Sequence, residues 1–230
     1  MLEFRNIRVT RGDFTLSADL QIAKGERVAV IGPSGSGKST LLSLVGGFLQ
    51  PDEGAILWEG HDIAPVPPGR RPVSFLFQDQ NLFPHLTVAQ NVGLGLRPDL
   101  RLSPDQRDRV AQVLRDVGLP DMADRRPANL SGGQQSRVAL ARVLLRARPI
   151  LLLDEPFSAL GPALKSEMLQ LLDRIAAETG ATVLMVTHDP QDARDFAPQT
   201  IVIDDGVARN PTETKTLLDN PPPDLAAYLG

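Results

Sequence analysis

The chain of 230 residues contains no cysteine. Disulfides, thiolate metal sites and cysteine nucleophiles are therefore excluded, which suits a reducing compartment. Aromatics are scarce: one Trp, one Tyr and eight Phe leave the core to Leu, Val, Ile and Ala. A basic excess is also missing. The net charge of −4 argues against nucleic acid as a partner, for which a basic face is expected. Ile150 to Leu153 is typical of the apolar runs, which are strand-sized and far short of the ~20 residues that cross a bilayer. The first residues, Met1 to Asn6, hold no apolar core or cleavage-like site, so no signal peptide is expected. If the chain works at a membrane, another chain must do the spanning.

What is present has an α/β texture. Leu16, Ala18, Leu20 and Ile22 alternate with polar residues, as in a half-exposed strand. Arg27 to Ile31, Ile150 to Leu153 and Thr182 to Val186 are uniform apolar runs, as expected of parallel strands covered on both faces. Lys38 to Val45 reads as a helix stopped by Gly46-Gly47. A second helix starts at Pro162 and ends before Gly180, with Leu164, Met168, Leu171, Leu172 and Ile175 as its apolar stripe. Thr200 to Ala208 reads as a closing hairpin, and Pro221 to Pro223 as the mark of a loose tail.

Between these parts the strand signals vanish. Ser103-Pro104 starts a helix whose Val110, Val113, Leu114 and Val117 form one face. Seven Arg and six Asp between Arg97 and Arg126 suggest a solvated helical surface. We expect residues 79–135 to be a helical subdomain inserted into a single domain spanning 1–230.

Gly32, Pro33, Ser34, Gly35, Ser36, Gly37, Lys38, Ser39 and Thr40 form a complete phosphate-binding P-loop, placed between a strand and a helix. Glycines let backbone N–H groups wrap phosphates, and the helix N-terminus adds partial positive charge. Lys38 is suited to the β- and γ-phosphates of ATP, and the Ser39 hydroxyl to Mg²⁺. Asp154 and Glu155 end a buried strand at the edge where open α/β sheets bind ligands. Asp154 would hold Mg²⁺ through a water, and Glu155 would orient and deprotonate the attacking water. An isolated Asp-Glu pair is commonly just an exposed turn; beside a P-loop it reads as catalytic.

Leu130-Ser131-Gly132-Gly133-Gln134 opens another helix, whose Val138, Ala139, Val143 and Leu144 face inward. Its N-terminus is a second anion site. With one P-loop per chain, Ser131, Gly132, Gly133 and Gln134 are best used across a dimer interface. Gln78 follows a strand and begins the insertion, where its amide could reach Mg²⁺ and the attacking water. His188 ends a strand on the edge that carries Asp154 and could contact the γ-phosphate. His61 and His85 are expected to be structural.

These motifs, in this order, resemble those of ATP-binding-cassette ATPases over nearly the whole chain. The resemblance implies a P-loop NTPase core with a mostly parallel sheet, an N-terminal antiparallel β subdomain and the inserted α-helical subdomain. It makes Gly32 to Ser39 the Walker A motif, Gln78 the Q-loop and Leu130 to Gln134 the signature. Ile150 to Asp154 become Walker B, Glu155 the catalytic glutamate and His188 the switch histidine. Ser158-Ala159-Leu160-Gly161 becomes the D-loop. It further implies a head-to-tail homodimer holding two ATP, each between one chain's P-loop and the other's signature.

Arg70 to Leu96, Gly46 to Leu49 and the short C-terminus are similar to the ATP-binding subunits of bacterial thiamine importers. That implies a peripheral subunit on the cytoplasmic face of the inner membrane. Its implied partners are an integral membrane permease docking near Gln78 to Val92 and an extracytoplasmic solute-binding protein. The cargo would be thiamine or its phosphates, or another small solute. A soluble cassette acting on DNA or ribosomes is the alternative outside transport, and a cassette that binds ATP without hydrolysing it is the third reading. Two positions depart from the family pattern. Gly161 stands where the D-loop carries Asp, and Arg11 where an aromatic stacks on adenine. A guanidinium can also stack; Phe14, the rival, reads as core.

Overall fold

In the computed structural model, residues 1–79, 81–158 and 160–229 are described, the last three without their side chains. The chain order is β1 (Leu2–Arg11), β2 (Phe14–Ile22), β3 (Arg27–Ile31), α1 (Lys38–Gly46), β4 (Glu53–Trp58), β5 (His61–Asp62) and β6 (Val73–Leu76). The insertion follows with α2 (Val88–Gly93), α3 (Pro104–Asp116) and α4 (Gly132–Leu145). Then come β7 (Ile150–Asp154), α5 (Pro162–Thr179), β8 (Thr182–Val186), α6 (Pro190–Phe196) and β9 (Gln199–Asp204). The chain finishes with β10 (Val207–Ala208), β11 (Thr212–Glu213), α7 (Thr214–Asp219) and α8 (Pro223–Leu229).

One continuous sheet runs in the order β5-β4-β1-β2-β10-β9-β3-β8-β7-β6, with β11 beside β9. The strands β9-β3-β8-β7-β6 are parallel, whereas β5, β4, β1 and β2 pair antiparallel. Val28, Ala29 and Val30 are fully buried because β3 is covered on both faces. Ala29, Ile31, Leu151, Leu153, Val183 and Met185 pack with the helices α4, α5 and α6. Val28, Val30, Leu152 and Leu184 pack on the other face, with α1 and the antiparallel strands.

Strand β1 breaks simple alternation. Leu2 and Phe4 are buried, then Ile7 and Val9. A register shift lies between Phe4 and Ile7, where Asn6 adopts φ 47° and its N–H donates to Asp19. This β-bulge swings the strand so that both apolar pairs face the same core. All three insertion helices carry a capping box: Thr87 with Gln90, Ser103 with Gln106, and Ser131 with Gln134. Helix α4 starts inside the insertion and runs on under β6 and β7, so the two parts share a core.

The loose tail expected at Pro221 to Pro223 is overturned. Pro223 instead begins α8, because proline suits the first turn of a helix. Leu225 is only 3% exposed and anchors it, and Asp224 reaches Arg209 at 3.4 Å.

Arg71 holds α1 in place. It is completely buried, yet its guanidinium faces no carboxylate within ion-pair distance among the described residues. It donates to Leu44 O at 2.5 Å and Val45 O at 2.9 Å, carbonyls of the last turn of α1, where Leu44 O also accepts from Gly47 N at 3.3 Å. It also donates to Ala64 O at 2.6 Å and Val66 O at 2.7 Å. Gly47 makes room: a Cβ there would lie 2.5 Å from Arg71 Nε. Arg71→Met is expected to strip these buried carbonyls of their guanidinium donor and to cost about 3 kcal/mol or more. Thermal unfolding would register this as a fall in Tm of roughly 6–12 °C.

Candidate active site

Parallel pairing delivers four loops to one edge. The P-loop leaves β3, Thr187-His188 leaves β8, Asp154-Glu155 ends β7 and Gln78 follows β6. Val186 is paired both with Val30 and with Asp154, so these strand ends lie level. The sequence-predicted residues of the core are therefore neighbours along one sheet edge.

Gly37 caps α1 with φ 111° in the left-handed region, and Phe14 packs over it, 2.9 Å from where a Cβ would be. Gly32 has φ 149°, and a Cβ there would stand 2.0 Å from Ile203 O. Lys38 Nζ donates to Gly32 O at 2.7 Å and Pro33 O at 2.8 Å, closing the loop on itself. Burial lowers the Lys38 pKa, opposed by the charges of Glu155 and Asp154. The Ser36 hydroxyl is buried within the loop and has no hydrogen-bond partner among the described residues. An orphaned donor in a cradle of this kind fits an anionic ligand. Ser34, Gly35 and Ser39 are exposed, and Pro33 and Thr40 half-buried.

Ser39 Oγ donates to Asp154 Oδ1 at 3.1 Å. Burial pushes the Asp154 carboxyl above its ordinary pKa, opposed by the Ser39 hydrogen bond. Two hard oxygens so close suit Mg²⁺, which takes few protein ligands and completes its shell with phosphate and water. No cluster of three or more His, Cys, Asp or Glu is poised for a metal among the described residues. Gln78, the third expected metal ligand, is exposed just after β6.

Glu155 has a strained backbone, φ 44°, while its N–H donates to Val186 O at 3.1 Å. Such strain in a non-glycine residue concentrates at functional sites. Its Oε2 lies 3.3 Å from His188 Nδ1, so the expected base and the expected switch are already in contact.

The other candidates stand apart from this edge cluster. Ser131 and Gly132 are exposed at the start of α4, and Gly133 is buried beside Leu164. Ser131 Oγ accepts from Gln134 N, which leaves its proton to donate to an anion. Gln134 Oε1 accepts from Ser131 N, so this side chain caps the helix. Arg11 is exposed and tied to Thr10 O at 2.6 Å and to Asp52 at 3.5 Å. Gly161 caps α5 with an ordinary φ of −66° and open space where a Cβ would go. Ala159 of the D-loop and Gln80 of the docking segment lie outside the described residues.

Two features escaped the sequence reading. Asn91 is fully buried, accepts from Phe83 N at 2.8 Å and donates to Phe83 O at 3.0 Å and Thr87 O at 3.0 Å. It thereby clasps the loop that follows Gln78. Phe48, Phe75 and Phe77 form a ring cluster, with Phe75 and Phe77 stacked at 4.2 Å and Phe48 half exposed. Only the run of aromatics around Gln78 hinted at this. An open cleft of about 620 Å³ near Arg27, Phe196 and Glu213 lies at the amino end of β3, opposite the P-loop edge. Its Arg27 and Arg194 are paired with Asp173 and Asp219.

The family described as ABC transporter matches residues 16–158. The chain is 62% identical to the thiamine import ATP-binding protein ThiQ of Cereibacter sphaeroides, over 100% of both chains. It is 51% identical to the protein of that name from Yersinia pseudotuberculosis, covering 95% of this chain and 93% of the relative. A solved dimeric post-hydrolysis state of the ATP-binding cassette MJ0796, bound to ADP and Pi, superposes with a TM-score of 0.81 at 34% identity. That likeness covers 93% of this chain and 99% of the other.

Glu155→Gln is expected to lower ATP hydrolysis by roughly 10²-fold or more while leaving nucleotide binding within about twofold. Parallel measurement of turnover and of fluorescent-nucleotide titration checks this.

Proposed function

The chain belongs to the ABC transporter family, and we propose that it is the ATP-hydrolysing subunit of a thiamine importer. The observation that carries this reading is the level edge that gathers Lys38, Ser39, Asp154, Glu155 and His188, joined to full-length identity with thiamine import subunits. Lys38 would leave its loop carbonyls for the β- and γ-phosphates of ATP. Ser39 and Asp154, with Gln78, would hold Mg²⁺, which when bound neutralises charge on the phosphate oxygens. Glu155 would take the proton of the attacking water, and His188, beside it, would contact the γ-phosphate. Arg11 offers an exposed guanidinium plane for adenine.

The exposed signature at Ser131 and Gly132 faces solvent within one chain, which supports its use by a second copy in a head-to-tail homodimer. A ligand shifts a conformational equilibrium only by binding one state better. A γ-phosphate gripped by Lys38 and by the partner copy's signature would supply that difference. No described helix is long and apolar enough to cross a membrane; in this reading the movement is handed to a membrane permease. Phe48, Phe75 and Phe77 put apolar surface next to Gln78 in the chain, Phe83 adds an exposed ring on the loop that follows, and Asn91 clasps that loop. We assign permease docking to this surface, from Gln78 to Val92. An extracytoplasmic solute-binding protein would deliver thiamine or its phosphates to that permease, with this chain peripheral on the cytoplasmic face.

Uptake of labelled thiamine at low nanomolar concentration tests the whole reading, in cells carrying the membrane and binding subunits. Lys38→Ala is expected to abolish it. Unchanged uptake with Lys38-dependent ATP hydrolysis in purified protein would keep the motor and reassign the cargo to another small solute. Phe48→Ser is expected to cut uptake at least about fivefold while the purified chain's hydrolysis changes less than about twofold. Equal losses in both assays would count against the docking assignment.

A further inference from the structure

The segment that carries His188 is tied to the helix after the D-loop by one cation. Lys165 sits in the first turn of α5, with its backbone N–H donating to Gly161 O at 3.0 Å. Its side chain is only 19% exposed. The ammonium lies 2.5 Å from Asp189 Oδ2 and 2.9 Å from Asp192 Oδ1. Asp189 Oδ1 meanwhile accepts from Gln191 N at 2.9 Å, capping α6. Thr187 Oγ accepts from Asp189 N at 3.1 Å and donates to Asp192 Oδ2 at 2.8 Å. Residues 187, 189 and 192 are thus locked into one network, and His188 projects from the middle of it to within 3.3 Å of Glu155.

Nothing in the roles given above to Lys38, Glu155 or His188 uses Lys165. Yet without it, two carboxylates would face each other across the base of the His188 loop, and like charges at such range repel. Gly161 gives the D-loop no side chain at that position, and a Cβ there would touch nothing among the described residues. Within the chain the D-loop reaches His188 in two ways: through Ser158, whose Oγ donates to Glu155 O at 3.1 Å, and through the first turn of α5, where Lys165 binds the His188 segment. We propose that Lys165 is a positioning residue, which holds His188 against Glu155 and carries displacements of the D-loop helix to that pair. The inference rests on the roles assigned above to Glu155 and His188.

Steady-state ATP hydrolysis by the full chain tests it. Lys165→Met should lower kcat about tenfold, with KM and fluorescent-ATP affinity within about twofold. Lys165→Gln, which keeps a hydrogen-bonding group, should show the same split if the methionine variant folds poorly. Lys165→Arg should restore more than half of the rate. In a His188→Ala background, Lys165→Met should cost less than about twofold more, because residues acting as a unit are not additive. Unchanged kcat in the Met and Gln variants would overturn the proposal. So would losses that multiply in the double variant, or a parallel fall in nucleotide affinity and Tm that Arg does not rescue. Absence of Lys38-dependent hydrolysis in the parent protein would instead sink the reading of the site itself.

Discussion

Parallel strand pairing is the constraint on which the rest of this molecule depends. Parallel neighbours need crossover connections, so the carboxyl ends of β3, β8, β7 and β6 all emerge on one side. Their register is fixed because both faces are buried: slipping a strand by one residue would exchange Leu152 with Leu153 between two different cores. Level strand ends then follow from level registers, and a lysine, a serine, two acids and a histidine meet without any loop having to reach far. The charged edge survives because apolar packing on both faces holds the ends still. Arg71 extends the same logic to α1, donating to two carbonyls at its far end.

Much of this was legible in the sequence wherever one local requirement selects one residue type. Uniform apolar runs marked β3, β7 and β8 because strands covered twice have no polar face. Pro162 and Gly180 bounded α5 because each suits one end of a helix. The P-loop was legible for the same reason: Gly32 and Gly37 occupy backbone conformations or close approaches that other residues resist.

What depends on distant partners was not legible. An arginine at position 71 reads as surface until four carbonyls from separate segments are brought around it. The bulge in β1 hides the pairing of Leu2 and Phe4 with Ile7 and Val9, because the buried positions no longer alternate. Pro221 to Pro223 signalled a break, and only the burial of Leu225 shows that a helix returns from it. Around the site, the contact between Glu155 and His188, the clasp made by Asn91 and the knot around Lys165 join residues that no spacing rule connects.

The aromatic cluster of Phe48, Phe75 and Phe77 has a consequence for the life of the protein before it reaches any membrane. A free subunit shows Phe48 and Phe83 to water, with Phe75 and Phe77 half-buried behind Phe48. Exposed apolar patches are adhesive. Copies synthesised in excess of their docking partner would therefore meet chaperones, proteases or one another first. On the docking assignment proposed above, the surface that suits assembly would also expose the surplus subunit to capture, and matched synthesis of the subunits would limit that exposure.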